Sequence, residues 1–188
     1  MLNGDYIGEE STEAIAIAET NKVCAMYAGD NWLTYRVCGN HEYNNPGGNH
    51  PEHELTVTEL EHAILTGTMG LVEHDGCSSL VKDPIRNVYF FLMECMATSG
   101  VSYDTRKFLA RCLRDSIPQN ATVILCAHRL NGVTDVYSII DAYNARSPVT
   151  IDGTTFDFSG ANGKVVAGFT GHTHADASIV TSGGVPIF

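Results

Sequence analysis

Apolar residues occur along this chain in short blocks separated by polar segments, a pattern that predicts alternating strands and helices. Residues 87–94 and 122–127 are near-continuous apolar runs of the kind found in strands buried on both faces of a sheet. Residues 34–38 form a shorter β-branched and aromatic run that ends at Gly39 and predicts another strand. We expect the first five residues to be the end of a strand that runs into a loop.

Helical spacing is clearest from Asp104 onward, where apolar and basic residues separate onto opposite faces. The apolar stripe consists of Phe108, Leu109, Cys112 and Leu113. Other helices are predicted from Ser11 to about residue 26, from Thr56 or Thr58 to about residue 65, and over 135–145. In the first of these helices, the spacing predicts an apolar face made of Ala14, Ile17, Ala18 and Ala25.

The remaining elements are shorter. Residues 150–158 and 164–169 are predicted strands around a turn at 160–163, and residues 177–181 are predicted to form another strand. His74 is expected in a turn at the surface. Strands that alternate with helices in this order indicate an α/β fold in which helices cover a sheet.

Composition and charge limit the classes of protein and partner. The chain has 188 residues, 44% of them hydrophobic, so we expect residues 1–188 to form a single domain with one core. The net charge is −11 and no basic cluster occurs, which disfavours nucleic acid as a partner without excluding it. The charge argues less against small phosphate esters, because bound metal ions supply positive charge locally.

The six cysteines form no closely spaced pair and most lie in apolar runs, which predicts buried free thiols in a reducing compartment. The lack of short ligand spacing also argues against a structural zinc protein. No apolar run is long enough to cross a membrane, and the N-terminal residues do not resemble a secretion signal. We therefore expect a cytoplasmic protein with no membrane partner.

Residues that commonly bind metal ions follow four of the predicted strands. They are Asp5, the GNHE segment at 39–42, His128, and the GHTH segment at 171–174. The carboxyl ends of strands are where open α/β sheets usually build their sites. Carboxylate, amide and imidazole groups suit Mn, Fe or Zn, and His172 and His174 point the same way in an extended chain.

The order of these motifs resembles that of the calcineurin-like metallophosphoesterase family, from residue 4 to beyond residue 174. The resemblance implies a double β-sandwich flanked by helices. It implies that Asp5 bridges two metal ions and that His174 binds one of them. The ligands of the other ion are then Asn40, His128 and His172. It further implies that His41 donates a proton to the leaving-group oxygen or stabilises the transition state.

The activity that the resemblance implies is hydrolysis of phosphate monoesters or diesters by a hydroxide activated by two divalent ions. The ions are expected to be Mn, Fe or Zn, with Mg or Ni as further alternatives. Glu42 is expected to support the site from outside the ligand set. Arg129 either contacts the substrate phosphate or forms an ordinary surface ion pair. The acidic composition favours a small-molecule ester, although the sequence does not identify it.

Two features depart from the family pattern. The Asp-x-His motif of the family's first strand does not occur here, so we expect a domain that lacks the first strand and is incomplete at both ends. Gly8 lies where many family members carry an acidic residue. These departures predict weak or absent turnover, and the alternative is a non-catalytic phosphoesterase-like scaffold or an inactive fragment with a partial metal site. The oligomeric state stays open, although an uncovered sheet edge would favour self-association.

Overall fold

The computed structural model describes residues 2–8, 10–28, 34–44, 51–95, 101–130, 133–172 and 178–188. Within these ranges the chain is a mixed α/β structure in which four helices flank a large sheet. The helices are α1 (Glu13–Ala28), α2 (Val57–Leu65), α3 (Tyr103–Asp115) and α4 (Thr134–Ala145), with one short 3₁₀ turn at Pro51–His53.

The large sheet contains seven of the described strands in the order β10-β11-β9-β6-β5-β4-β3. These are β3 (Leu71–Asp75), β4 (Ser78–Lys82), β5 (Val88–Met93), β6 (Thr122–Ala127), β9 (Lys164–Phe169), β10 (Ile179–Val180) and β11 (Pro186–Ile187). Strands β5, β6, β9 and β11 run parallel, while β3, β4 and β10 are antiparallel to their neighbours. The carboxyl ends of the parallel strands therefore meet at one edge of the sheet.

One face of this sheet packs on α3 and α4. The predicted stripe of α3 is buried there, together with Val136 and Ile140 of α4 and with Phe91, Val123 and Leu125 of the sheet. The helix begins at Ser102, whose side chain accepts the backbone N–H of Thr105. The amphipathic pattern thus predicted both the helix and the face that it buries.

The opposite face carries a second, smaller sheet. Strands β1 (Leu2–Asn3) and β2 (Arg36–Val37) pair in parallel, and Val37 packs on Val81, Leu92 and Cys126 of the large sheet. Helices α1 and α2 pack together beside this layer. The small sheet brings the residues that follow β1 and β2 close to those that follow β6 and β9.

Two predictions about strands were wrong. Residues 150–158 do not form one strand but a hairpin, β7 (Val149–Ile151) and β8 (Thr154–Phe156), because the Asp152-Gly153 pair turns the chain with positive φ at both residues. The β3–β4 hairpin was not predicted, and His74 lies within β3 rather than in a turn. Both hairpins turn at a glycine that the apolar pattern does not mark.

The face predicted for α1 was also wrong. The buried residues are Ala16, Thr20 and Cys24. Of the predicted face, only Ile17 packs on this cluster, half-buried, whereas the three alanines are exposed. The backbone N–H of Ile15 is accepted by the side chain of Thr12, rather than by Ser11, at 3.3 Å. Because alanines occur on all sides of this helix, periodicity gives little information on which side packs.

Each of the six cysteines is buried and none forms a disulfide, which confirms the prediction of buried free thiols. Among the described residues, none of the helices combines the length and the apolar character that a membrane span requires.

One pair of variants can test which face of α1 is buried. Ala16→Leu inserts a larger side chain into a fully buried position and should lower the free energy of unfolding by about 1–3 kcal/mol. Ala14→Leu, on the exposed side, should change it by less than about 0.5 kcal/mol. Urea unfolding followed by circular dichroism measures both, and the reverse ranking would restore the face predicted from spacing.

Candidate metal centre

The candidate ligands come from both sheets. Asp5 follows β1 and the 39–42 segment follows β2, both in the small sheet, whereas His128 follows β6 and His172 follows β9 in the large sheet. The backbone N–H of Gly171 donates to the carbonyl oxygen of His128 at 2.9 Å, which joins the ends of β6 and β9. The site therefore lies where the two sheets meet at their carboxyl edges.

Asp5, His128 and His172 form a compact cluster. Nε2 of His128 lies 3.0 Å from Oδ2 of Asp5 and 3.0 Å from Nδ1 of His172. One ligand atom from each residue falls within 4.8 Å of the other two. Two ligands about 2.1 Å from one ion, and 90–110° apart, lie about 3.0–3.4 Å from each other, so these spacings suit one divalent ion.

The charge of Asp5 is supported by its neighbours. Burial acts to raise the pKa of Asp5, but the hydrogen bond and charge of His128 and the backbone N–H of His41 outweigh it, so this pKa lies below its ordinary value. His41 N donates to Oδ1 of Asp5 at 3.2 Å while His128 approaches Oδ2. Asp5 is thereby kept ionised, the form in which a carboxylate binds a metal.

Two glycines allow the backbones after β1 and β2 to meet. A Cβ on Gly39 would lie 2.6 Å from Oδ1 of Asp5 and 2.8 Å from its backbone N. A Cβ on Gly4 would lie 2.8 Å from both Gly39 and Nδ1 of His128, and Gly4 has φ +80°. Any larger residue at either position would push Asp5 or His128 out of the cluster.

Two members of the cluster have unusual backbone conformations. Asp5 has φ +56° and His172 has φ +70°, in the left-handed region that non-glycine residues rarely adopt. Each such residue costs on the order of 1 kcal/mol and persists only where surrounding contacts hold it. Here the conformation turns both side chains toward His128, so the strain accompanies formation of the cluster.

Glu42 holds the two loops of the small sheet together. Its buried carboxylate accepts three backbone N–H groups, those of Gly39 at 2.6 Å, Asp5 at 2.8 Å and Tyr6. Burial raises the pKa of Glu42, whereas these hydrogen bonds act in the opposite direction. The sequence predicted that Glu42 would support the site from outside the ligand set; the structure shows that it anchors both its own loop and the Asp5 loop.

Asn40 and His41 carry unsatisfied polar atoms. Oδ1 of Asn40 and Nδ1 of His41 are buried and have no hydrogen-bond partner within the described part of the chain. A buried polar atom without a partner costs about 1–3 kcal/mol, so such an atom calls for an explanation. An ion or substrate bound beside the cluster would provide the missing partner.

The other predicted residues differ in what the structure says of them. Arg129 is half-buried and its guanidinium forms no ion pair with any residue that the structure describes. His174 lies outside the described residues, so its expected place in the site stays a prediction.

Thr170 was not predicted from the sequence. Its hydroxyl donates to the carbonyl oxygen of His128 at 3.1 Å and accepts the backbone N–H of Leu130 at 2.9 Å. This residue joins the strand end that carries His128 to the one that leads to His172. A threonine at a strand end does not by itself indicate such a role. The only sequence signal is that Thr170 directly precedes the GHTH segment.

No family model matches the chain, and no curated protein matches it. The family expected from the motifs therefore stays a prediction.

The close approach at Gly39 yields a prediction. Gly39→Ala should weaken binding of Mn²⁺ or Zn²⁺ about 10–100-fold, because the added methyl group displaces Asp5. Gly8→Ala is the matched control, since a Cβ at Gly8 meets nothing within 4 Å. Calorimetric titration of both variants measures the effect, and equal affinities would show that Asp5 does not bind the ion.

A second prediction concerns Glu42. Glu42→Gln replaces a carboxylate that accepts three N–H groups with an amide that has one acceptor oxygen, and should lower the free energy of unfolding by about 1–3 kcal/mol. Glu19→Gln removes only a surface contact with Lys22 and should cost under about 0.5 kcal/mol. Similar urea midpoints for the two variants would contradict the anchoring role of Glu42.

Proposed function

We propose that this chain is a metal-dependent phosphate-ester hydrolase of the calcineurin-like metallophosphoesterase family. The observation that carries the proposal is the cluster of Asp5, His128 and His172, in which Nε2 of His128 lies 3.0 Å from a ligand atom of each of the other two. The packing of a small parallel sheet on one face of a large sheet, with helices on the other, supports the double β-sandwich that the family implies.

The residues fit a divalent ion. One carboxylate and two imidazoles are a ligand set suited to Mn, Fe or Zn, and the unsatisfied amide oxygen of Asn40 would complete it. In this proposal Asp5, Asn40, His128 and His172 hold one ion, while Asp5 and His174 contribute to a second. A bound ion would supply Lewis-acid chemistry that offsets negative charge on phosphoryl oxygens.

The protein side chains orient the ester and handle its proton. Arg129 offers a guanidinium that no ion pair occupies among the described residues, suited to two hydrogen bonds with phosphate oxygens. His41 is held against Asp5 by its backbone N–H and carries a ring nitrogen without a partner. We propose that its imidazole donates a proton to the leaving-group oxygen, a role typically contributing about 10²–10⁴-fold to the rate.

A second candidate function has its own supporting observation. Among the described residues, the ligand atoms converge on a single position. A domain with one ion would bind phosphate esters without rapid turnover and act as a scaffold. Both versions of the proposal place the protein in the cytoplasm and expect its ligand to be a small-molecule phosphate ester.

The test combines metal content with hydrolysis. The wild-type chain loaded with Mn²⁺ should hydrolyse p-nitrophenyl phosphate or bis-p-nitrophenyl phosphate slowly, in line with the weak turnover expected from the sequence. Asp5→Ala should lose both metal and turnover, whereas His41→Ala should keep the metal and lose about 10²–10⁴-fold in rate. His62→Ala, exposed on α2, is the control and should match the wild type.

The outcomes separate the candidates. Metal bound without turnover in Mn²⁺, Fe²⁺ or Zn²⁺ favours the scaffold. Failure to bind any of these ions with micromolar affinity would remove the hydrolase proposal and leave a metal-free scaffold or an inactive fragment. The ester hydrolysed faster distinguishes a monoesterase from a diesterase.

A further inference from the structure

One row of side chains crosses the face of the large sheet on which the small sheet packs. The strand register places Leu92, Cys126 and Phe169 next to one another, so their side chains project from the same face. Leu92 and Cys126 are 1% and 0% exposed beneath β2, whereas Phe169 is 40% exposed. The small sheet therefore covers only part of the row, and the apolar surface continues into solvent.

Phe188 extends this uncovered surface. It follows β11, and its ring stacks on that of Phe169 with centroids 5.7 Å apart and an interplanar angle of 27°. The backbone N–H of Phe188 donates to Gly168 at 3.0 Å, and its carbonyl oxygen accepts the N–H of Thr170 at 2.7 Å. Half of the Phe188 side chain is exposed, so the two rings present one fixed aromatic surface.

This surface lies beside the metal centre. His128 is two residues beyond Cys126 along the chain, so it lies about 6–7 Å from Cys126 in the strand direction, perpendicular to the row. Thr170 connects the ring pair to the metal centre. Its N–H donates to the carbonyl oxygen of Phe188, and its hydroxyl donates to the carbonyl oxygen of His128 at 3.1 Å. The ring pair is thus held at a fixed position relative to His128, and His172 follows Phe169 by only three residues.

An ester with its phosphate at the cluster must direct its organic group along one side of the site. On the side of β9, that group meets the two phenyl rings, whose exposed faces favour flat, apolar groups. A small alkyl group would cover less of this surface and gain less from it. In the proposed function, the cluster and Arg129 bind the phosphate, and the organic group is left to other contacts.

We propose that Phe169 and Phe188 form a platform that binds the aromatic leaving group of an aryl phosphate ester. The inference rests on the proposed function and names the substrate class of that same site.

The experiment compares phenyl phosphate with ethyl phosphate in Mn²⁺. Phe188→Ala should raise KM for phenyl phosphate about five- to tenfold and leave that for ethyl phosphate within about twofold. Phe188→Leu, which keeps most of the apolar surface, should give an intermediate KM. Tyr103→Ala removes an exposed aromatic ring on α3, against the other face of the sheet, and should affect neither ester.

A binding measurement keeps this inference separate from hydrolysis. Calorimetry should show that phenylphosphonate binds more tightly than methylphosphonate and that Phe188→Ala removes the difference. If neither ester is hydrolysed but this difference is found, the hydrolase proposal fails and the platform stands.

Two outcomes would overturn the platform. One is an equal effect of Phe188→Ala on both esters and both phosphonates, or no effect on any of them. The other is concentration-dependent dimerisation in sedimentation experiments that Phe188→Ala abolishes, which would assign the surface to a second copy of the chain.

Discussion

The candidate site depends on one buried carboxylate. Glu42 accepts backbone N–H groups from the loop after β1 and the loop after β2, and so joins two segments more than 30 residues apart in sequence. Burying this group is costly unless its hydrogen bonds are made, so the two loops are stable only together. Because Gly39 has no side chain, Asp5 can reach the position where it meets His128.

This arrangement makes the cluster a product of packing between layers. Asp5 belongs to the small sheet, whereas His128 and His172 belong to the large one, and the contact of Val37 with Leu92 and Cys126 sets the distance between them. A change in that apolar contact would be transmitted to the ligands, since neither sheet contains the whole set. The unsatisfied atoms of Asn40 and His41 lie in the same contact region, where a ligand would offset their desolvation.

The edge of the small sheet explains why an aromatic surface lies next to a polar site. The small sheet ends above Cys126, so the polar cluster and the exposed Phe169 lie on one continuous face. Apolar residues in this row serve the core where they are covered. Where the small sheet does not cover them, as at Phe169, their side chains are exposed to solvent. Two apolar residues at the ends of neighbouring strands can therefore differ in role.

The sequence by itself determined the elements with strong periodicity and the identity of the ligand candidates. The stripe of α3, the limits of β6 and the start of α2 near Thr56 follow from local patterns, because burial and hydrogen bonding there involve near neighbours. Only the tertiary structure decided the buried face of α1, the anchoring of two loops by Glu42 and the exposure of Phe169. Each of these depends on which distant surface lies opposite, and a local pattern of apolar and polar residues contains no information about that.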